Sequence, residues 1–430
     1  MIVAIVFVLL IAIGMPIGFV LGAAGFAGLI QMGGTDFLHL TPAKIFHGLN
    51  IFPFLAMPFF ILAGEIMNHT GITDRLVGLA RVLVGHLRGG LAQTNMVVSV
   101  MFAGLTGSAT SDAAAFGKTL VPQMVRHGYQ RDYACAVTAA GSIIGPTIPP
   151  SGLMVIYGSL LNVSIGALFA AGILPGLMIC LICMVVIRLG ANANNLPAAE
   201  RRANLLAIWR EFKGSILALI MPVIILGGIL GGIVTPTEAA SIAVAYSLII
   251  GVFVYRSISI RDMYDMLVRT ARITGVIFVI IGFATVLGWW LSFNQIPQAI
   301  ATHMGAMSDN PYVIIAMIMG FLLLVGMVMD ITATLIIVAP VLVPLTNSIG
   351  MDPVHAGIMI ILALNISLMT PPVGACLFVL SSVTGEKLER IAMKLWPFLL
   401  AETLVMAVFS FSEDLALFLP RFFGFVDWAP

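Results

Sequence analysis

The chain has 430 residues, of which 60% are hydrophobic and 9% charged, with a formal net charge of +1. Soluble domains carry about 25% charged residues, so a soluble fold is excluded, and the near-zero charge gives no footing for nucleic acid or another acidic polymer. Apolar runs of membrane-spanning length recur, as at residues 216–234 and 273–291, which predicts an all-α polytopic membrane protein.

Residues 1–32 are apolar with a kink at Gly14-Met15-Pro16 and no positive leader, which reads as membrane segment rather than cleaved signal. They form one bent span or two short ones. Gly18, Gly22, Gly25 and Gly28 space small residues for close helix packing, here or against a partner. Residues 51–67 span next. Residues 73–88 are amphipathic and suit the membrane interface.

Residues 90–126 are too long for one span and are interrupted by a hydroxyl-rich tip, Thr106-Gly107-Ser108-Ala109-Thr110-Ser111-Asp112. They predict a re-entrant helical hairpin. Residues 133–157 cross, broken at Gly145-Pro146-Thr147-Ile148-Pro149-Pro150, and residues 165–187 cross back. Proline removes a donor and clashes with the preceding turn. In a bilayer such non-helical backbone persists only where protein or a wet cavity surrounds it. Residues 188–272 supply a hydrophilic loop, a helix pair joined at Thr235-Pro236-Thr237-Glu238, and a basic connection. Residues 292–311 hold no Lys or Arg. Residues 312–346 form a second over-long segment, broken near Gly326-Met327-Val328-Met329-Asp330, and residues 354–384 a span broken at Thr370-Pro371-Pro372. Residues 395–411 are the last span, and 413–430 an interfacial tail.

An offset of 222 residues aligns the halves without a gap, pairing Gly104 with Gly326, Thr110 with Thr332, Pro122 with Pro344, Gly128 with Gly350, Pro149-Pro150 with Pro371-Pro372, Gly152 with Gly374 and Pro175 with Pro397. The predicted unit is a single membrane transporter with repeats at 51–187 and 273–412. Interrupted segments at matching places in two halves point to a transport site. If the first hairpin opens to the cytoplasm, 17 of the 20 Lys and Arg fall on that side, the positive-inside rule is met, and the repeats are inverted. Two full spans per over-long segment would satisfy the charges equally; the short arms and polar tips favour re-entrance.

The tips offer hydroxyls and freed carbonyls, the hard oxygens a small cation needs. Asp112 and Asp330 are costly in a bilayer and are either functional or caps of the second hairpin arms. Lys118 lies at helical separation from Asp112 and can pair with it or snorkel. Glu65, Glu238 and Glu402 read as interfacial or bundle pairs. Cys180 and Cys183, mid-span without a ligand cluster, read as packing. No phosphate-binding loop, HExxH or G-x-S-x-G motif is present, so the chain is read as no enzyme.

The runs Gly107-Ser108-Ala109-Thr110-Ser111-Asp112, Gly145-Pro146-Thr147-Ile148-Pro149-Pro150-Ser151 and Thr370-Pro371-Pro372-Val373-Gly374, with 57–65 and 235–240, resemble the large membrane subunit of tripartite ATP-independent periplasmic (TRAP) transporters. The resemblance covers essentially the whole chain. It implies inner-membrane location, uptake of a dicarboxylate, sialic acid or other sugar acid, two or more coupled Na+ ions, and an elevator motion of a unit holding both hairpins. It implies two partners, a small four-helix membrane subunit and a periplasmic binding protein. Carried over by motif, the sodium sites are Thr106 and Ser108 with Gly145, Ile148 and Pro150, and Gly326, Met329 and Asp330 with Thr370 and Pro372. Thr110, Ser111, Asp112, Thr332 and Asn365 are left for the substrate. A single-component dicarboxylate carrier of the same superfamily, usually with Ser-Asn-Thr tips, and a channel with two re-entrant loops are the alternatives.

Overall fold

In a computed structural model the described residues are 2–33, 36–197, 202–308, 310–371 and 374–427. They form helices and connections, with no strand among them. Seven helical segments among these residues are long and apolar enough to cross a membrane.

The first apolar stretch breaks at its Gly-Pro kink into α1 (Ile2–Ala12) and α2 (Ile17–Gly33). The glycine stripe of α2 is used inside this chain. Cβ atoms added at Gly18, Gly22, Gly25 and Gly28 would stand 3.1, 2.8, 3.0 and 2.7 Å from Val279, Phe283, the Leu287 backbone nitrogen and Trp290. All four neighbours lie on α14 (Ile260–Phe293), which the stripe therefore holds at close range. Gly25→Leu is expected to cost about 1–3 kcal/mol by overpacking, because the opposing atom is backbone and cannot move aside. Gly288→Leu, where nothing lies within 4 Å, is expected to leave thermal unfolding in detergent unchanged.

After α3 (Thr41–Leu49) the chain bends by 63° into the segment that contains α4 (Ala56–His69). The amphipathic α5 (Ile72–Val84) buries Ile72, Leu76, Val77, Leu79 and Ala80 and packs on α6 and α12. Its apolar face meets protein, which is why it carries one.

The first over-long segment is α6 (Gly90–Thr106) and α7 (Ala109–Arg126), folded back on each other across a two-residue link. The following span is α8 (Arg131–Ser142), the short turn α9 (Ile144–Thr147) and α10 (Gly152–Leu161), almost entirely buried. Then come α11 (Ile165–Gly190), α12 (Leu205–Leu230) and α13 (Pro236–Ile249). The loop between α11 and α12 is shorter than the composition predicts. Helix continues past Arg188 to Gly190, and the Asn204 side chain starts α12 by accepting from the Ala207 amide at 2.8 Å.

The basic connection before residue 273 is likewise the first half of the 34-residue α14. Ser259 and Asp262 close a capping box at its start. The stretch 292–311 contains α15 (Ile296–Met307). The second over-long segment is α16 (Pro311–Gly326) and α17 (Ile331–Ser348). The broken span after it is α18 (Pro353–Ser367) and α19 (Ala375–Thr384). Last come α20 (Leu388–Phe411) and α21 (Glu413–Phe422), the latter where the sequence reads only as a tail. Trp428 lies outside the described residues.

Helix boundaries recur at the repeat offset of the sequence. Helix α7 begins at Ala109 and ends at Arg126; α17 begins at Ile331 and ends at Ser348, and α8 and α18 start at Arg131 and Pro353. Gly128 and Gly350 follow α7 and α17 with φ of 91° and 70°, left-handed in both.

Candidate functional site

The first tip is a turn built on Gly107, whose φ is 59°. A Cβ there would stand 2.6 Å from the carbonyl oxygen of Pro150, so the tip presses directly on the break behind it. Thr106 donates its hydroxyl to Asp112 Oδ1, and the Ser108 and Thr110 hydroxyls are 3.3 Å apart. Asp112 is fully buried, and its other oxygen, Oδ2, has no hydrogen-bond partner among the described residues. That oxygen lies against Gly145, where a Cβ would collide with it. Two more buried oxygens near the breaks, Ser151 Oγ and Asn365 Oδ1, are without a partner among the described residues.

The second tip differs. Asp330 accepts from the amides of Thr332 at 2.9 Å and Ala333 at 3.2 Å and so caps α17. Asp112 accepts from no backbone amide, so of the two carboxylates only Asp330 is a cap. Gly326 packs against Ser367 at the end of α18, with a Cβ 2.8 Å from the Ser367 Cβ. The Thr370 hydroxyl donates back to Ile366 O at 2.8 Å. Pro372 lies outside the described residues. The two breaks meet: Asn365 Nδ2 donates to Thr147 Oγ1 at 3.0 Å, both side chains fully buried.

Both tips open on one cavity of about 640 Å³. Thr106, Ser108, Thr110, Ser111, Pro150, Asp330 and Thr332 line it, with Pro146 and Leu368 from the breaks. Asp112, Gly145, Ile148, Gly326, Met329, Asn365 and Thr370 are not on its surface. The opposite wall belongs to α2, α4 and α14, which contribute Ile17, Met57, Phe60, Gly64, Glu65, Asn68, Arg272 and Ile277.

That wall is what the sequence did not give away. Glu65 is indeed paired, to Arg269 at 2.9 Å, yet it also faces the cavity. Arg272, one turn on, lines the cavity without an ion pair among the described residues. It reads in sequence only as one of a basic cluster. The other carboxylates resolve separately. Glu238 sits in the capping box of α13, and Glu402 accepts from the buried Cys183 thiol at 3.2 Å. Cys180 and Cys183 are free and buried. Lys118 does not reach Asp112; it is exposed and lines a different cavity.

A model of the family described as "Tripartite ATP-independent periplasmic transporter, DctM component" matches residues 4–415. The sialic acid TRAP transporter large permease protein SiaM of Vibrio cholerae is 38% identical over 413 residues, 95% of this chain and 96% of that one. The 2,3-diketo-L-gulonate TRAP transporter large permease protein YiaN of Escherichia coli is 37% identical over 94% of this chain and 95% of its own. Among solved structures, the Alcanivorax borkumensis YdaH transporter superimposes with a TM-score of 0.59 at 17% identity, over 92% of this chain and 90% of that one, a likeness of fold alone. With breaks, tips and cavity in place and a match along nearly its whole length, the chain belongs to the DctM family, the large membrane permeases of TRAP transporters.

Proposed function

We propose that this permease carries an organic acid, delivered by a periplasmic binding protein, inward with Na+ in an elevator motion. Family membership already makes it a multi-pass inner-membrane permease rather than an enzyme, working with a small membrane subunit and a periplasmic binding protein. The observation that carries the finer reading is the shared cavity. One wall is both hairpin tips and both breaks; the other is α2, α4 and α14. A substrate there touches two structural units at once, which is what a unit sliding past a scaffold requires. Its volume of about 640 Å³ suits a small molecule. Arg272 is a cation on the wall with no ion-pair partner among the described residues, which favours an anion.

For Na+ we assign the space between the first tip and the first break. The tip brings the Thr106 and Ser108 hydroxyls, the open Oδ2 of Asp112 and the Pro150 carbonyl oxygen to this place, and the Gly145 and Ile148 carbonyls are assigned to it by their motif. A bare cation takes oxygen ligands of this kind. The second ion falls to Gly326, Met329, Asp330 and Thr370, where backbone carbonyls predominate because Thr370 is bonded to its own helix and the Asp330 Oδ1 is used in capping. Thr110, Ser111 and Thr332, on the cavity surface, face the substrate. Asn365 and Asp112, off that surface, hold the breaks and the ion instead.

The experiment is uptake into proteoliposomes containing both membrane subunits, with a sialic acid, a sugar acid and a C4-dicarboxylate as labelled probes. Accumulation that needs both a sodium gradient and the binding protein supports the reading. Accumulation without any binding protein would instead make the chain a single-component carrier. Ser108→Ala removes one hydroxyl ligand and is expected to raise the sodium concentration for half-maximal uptake by about tenfold, on the order of 1.4 kcal/mol. An unchanged sodium curve removes Ser108 from the site.

A further inference from the structure

A second cavity, of about 440 Å³, lies against the far arm of the first hairpin, where α7 meets the start of α8 and the end of α19. Its floor is apolar. Val121 and Pro122 come from α7 and Val383 from α19. The two helices touch beneath it, since a Cβ at Gly117 would stand 3.1 Å from Leu380. Its polar lining is dominated by three cations, Lys118, Arg126 and Arg131, all exposed.

None of the three has an ion pair or side-chain hydrogen bond among the described residues. The nearby carboxylates are engaged elsewhere and do not line the cavity: Asp132 accepts from the Tyr133 amide at 2.7 Å, and Glu386 is 3.7 Å from Arg390. Ordinary reasons account for part of the set. Arg126 sits in the last turn of α7, where a cation meets the negative helix end. Arg131 has no such reason, because it stands in the first turn of α8, the positive end. Three exposed cations without an ion pair among the described residues thus stand on one cavity, a place where an anion would be favoured.

An apolar floor beneath a cationic rim is the chemistry of an anionic lipid. The acyl chain lies on the floor and the phosphate meets the rim; basic pockets between membrane helices take such headgroups. We propose that this cavity binds the headgroup of an anionic phospholipid of the leaflet that faces the basic side. The site is carried by the hairpin arm itself, so the lipid rests on the element that forms the first tip. The assignment does not depend on which acid is transported.

The test measures phosphatidylglycerol bound to the purified complex of both membrane subunits in nanodiscs of stated phosphatidylglycerol and phosphatidylcholine content. Wild type is expected to hold phosphatidylglycerol selectively. The variant K118Q/R126Q/R131Q is expected to bind it about a hundredfold more weakly. A second variant, R210Q/K213Q/R261Q, removes the same charge elsewhere and is expected to bind as wild type does. Equal loss in both variants, or no preference over phosphatidylcholine in wild type, overturns the proposal. Inorganic phosphate is the other source of the same chemistry. If phosphate alone saturates the site and phosphatidylglycerol no longer competes for it, the lipid assignment is wrong.

Discussion

Gly107→Ala is expected to abolish uptake, by at least about a hundredfold, while the complex still assembles. Two costs combine. A left-handed backbone at a non-glycine residue costs roughly 1–2 kcal/mol. The added Cβ would also stand 2.6 Å from the Pro150 carbonyl oxygen, a contact with backbone that cannot yield unless the tip withdraws. Withdrawal opens the space in which the Thr106 and Ser108 oxygens face the break. Gly128→Ala separates the two costs. Gly128 has φ of 91°, but its nearest neighbour would be Pro197 at 3.7 Å. It carries the strain without the collision and is expected to keep most uptake at a small loss of thermal stability. Equal uptake in the two variants would falsify a role for tip contact.

Asp112→Asn is expected to shift the sodium dependence of uptake to far higher concentration. Wild-type Asp112 is fully buried, takes one hydrogen bond from Thr106, and leaves Oδ2 against Gly145 unpartnered. A buried acceptor without a donor is costly, and a cation in that position satisfies it. The amide keeps shape and volume but can turn an N–H toward the same point, which repels a cation. Half-maximal sodium concentration should rise by about a hundredfold, roughly 2.7 kcal/mol, with thermal unfolding near wild type. If sodium affinity is unchanged and stability alone falls, Asp112 is a structural partner of Thr106 and nothing more.

How far the sequence carries can be judged element by element. The two tips and two breaks were legible because glycine, proline and hydroxyl residues interrupt long apolar runs, and few compositions do that in a membrane. Their recurrence at one offset was legible for the same reason. The convergence of both tips on one cavity is a matter of tertiary packing, which periodicity does not encode. The first half of α14 was hidden because Arg261, Asp262, Asp265, Arg269 and Arg272 lower its hydropathy below that of a span. The Ser259-x-x-Asp262 pattern was the signal that could have found it. Helices α15 and α21 are short and mixed in character, so average hydropathy reads them as connection and tail. The glycine stripe of α2 was correctly read as a packing face, but a stripe does not name its partner. Arg272 and Asn68 became candidates only when the opposite wall was in view.

The bond from Asn365 to Thr147 joins the last turn before one break to the short turn within the other. Neither half can therefore rearrange its break without disturbing a buried donor–acceptor pair in its twin. If ions occupy both breaks as proposed, occupancy at the first would change affinity at the second, and by reciprocity the second would change the first by the same factor. Two ions held this way would not load independently, and positive coupling would make them load in concert. A carrier that fills its sites in concert spends little time half-loaded, and the half-loaded state is the one through which an ion gradient leaks.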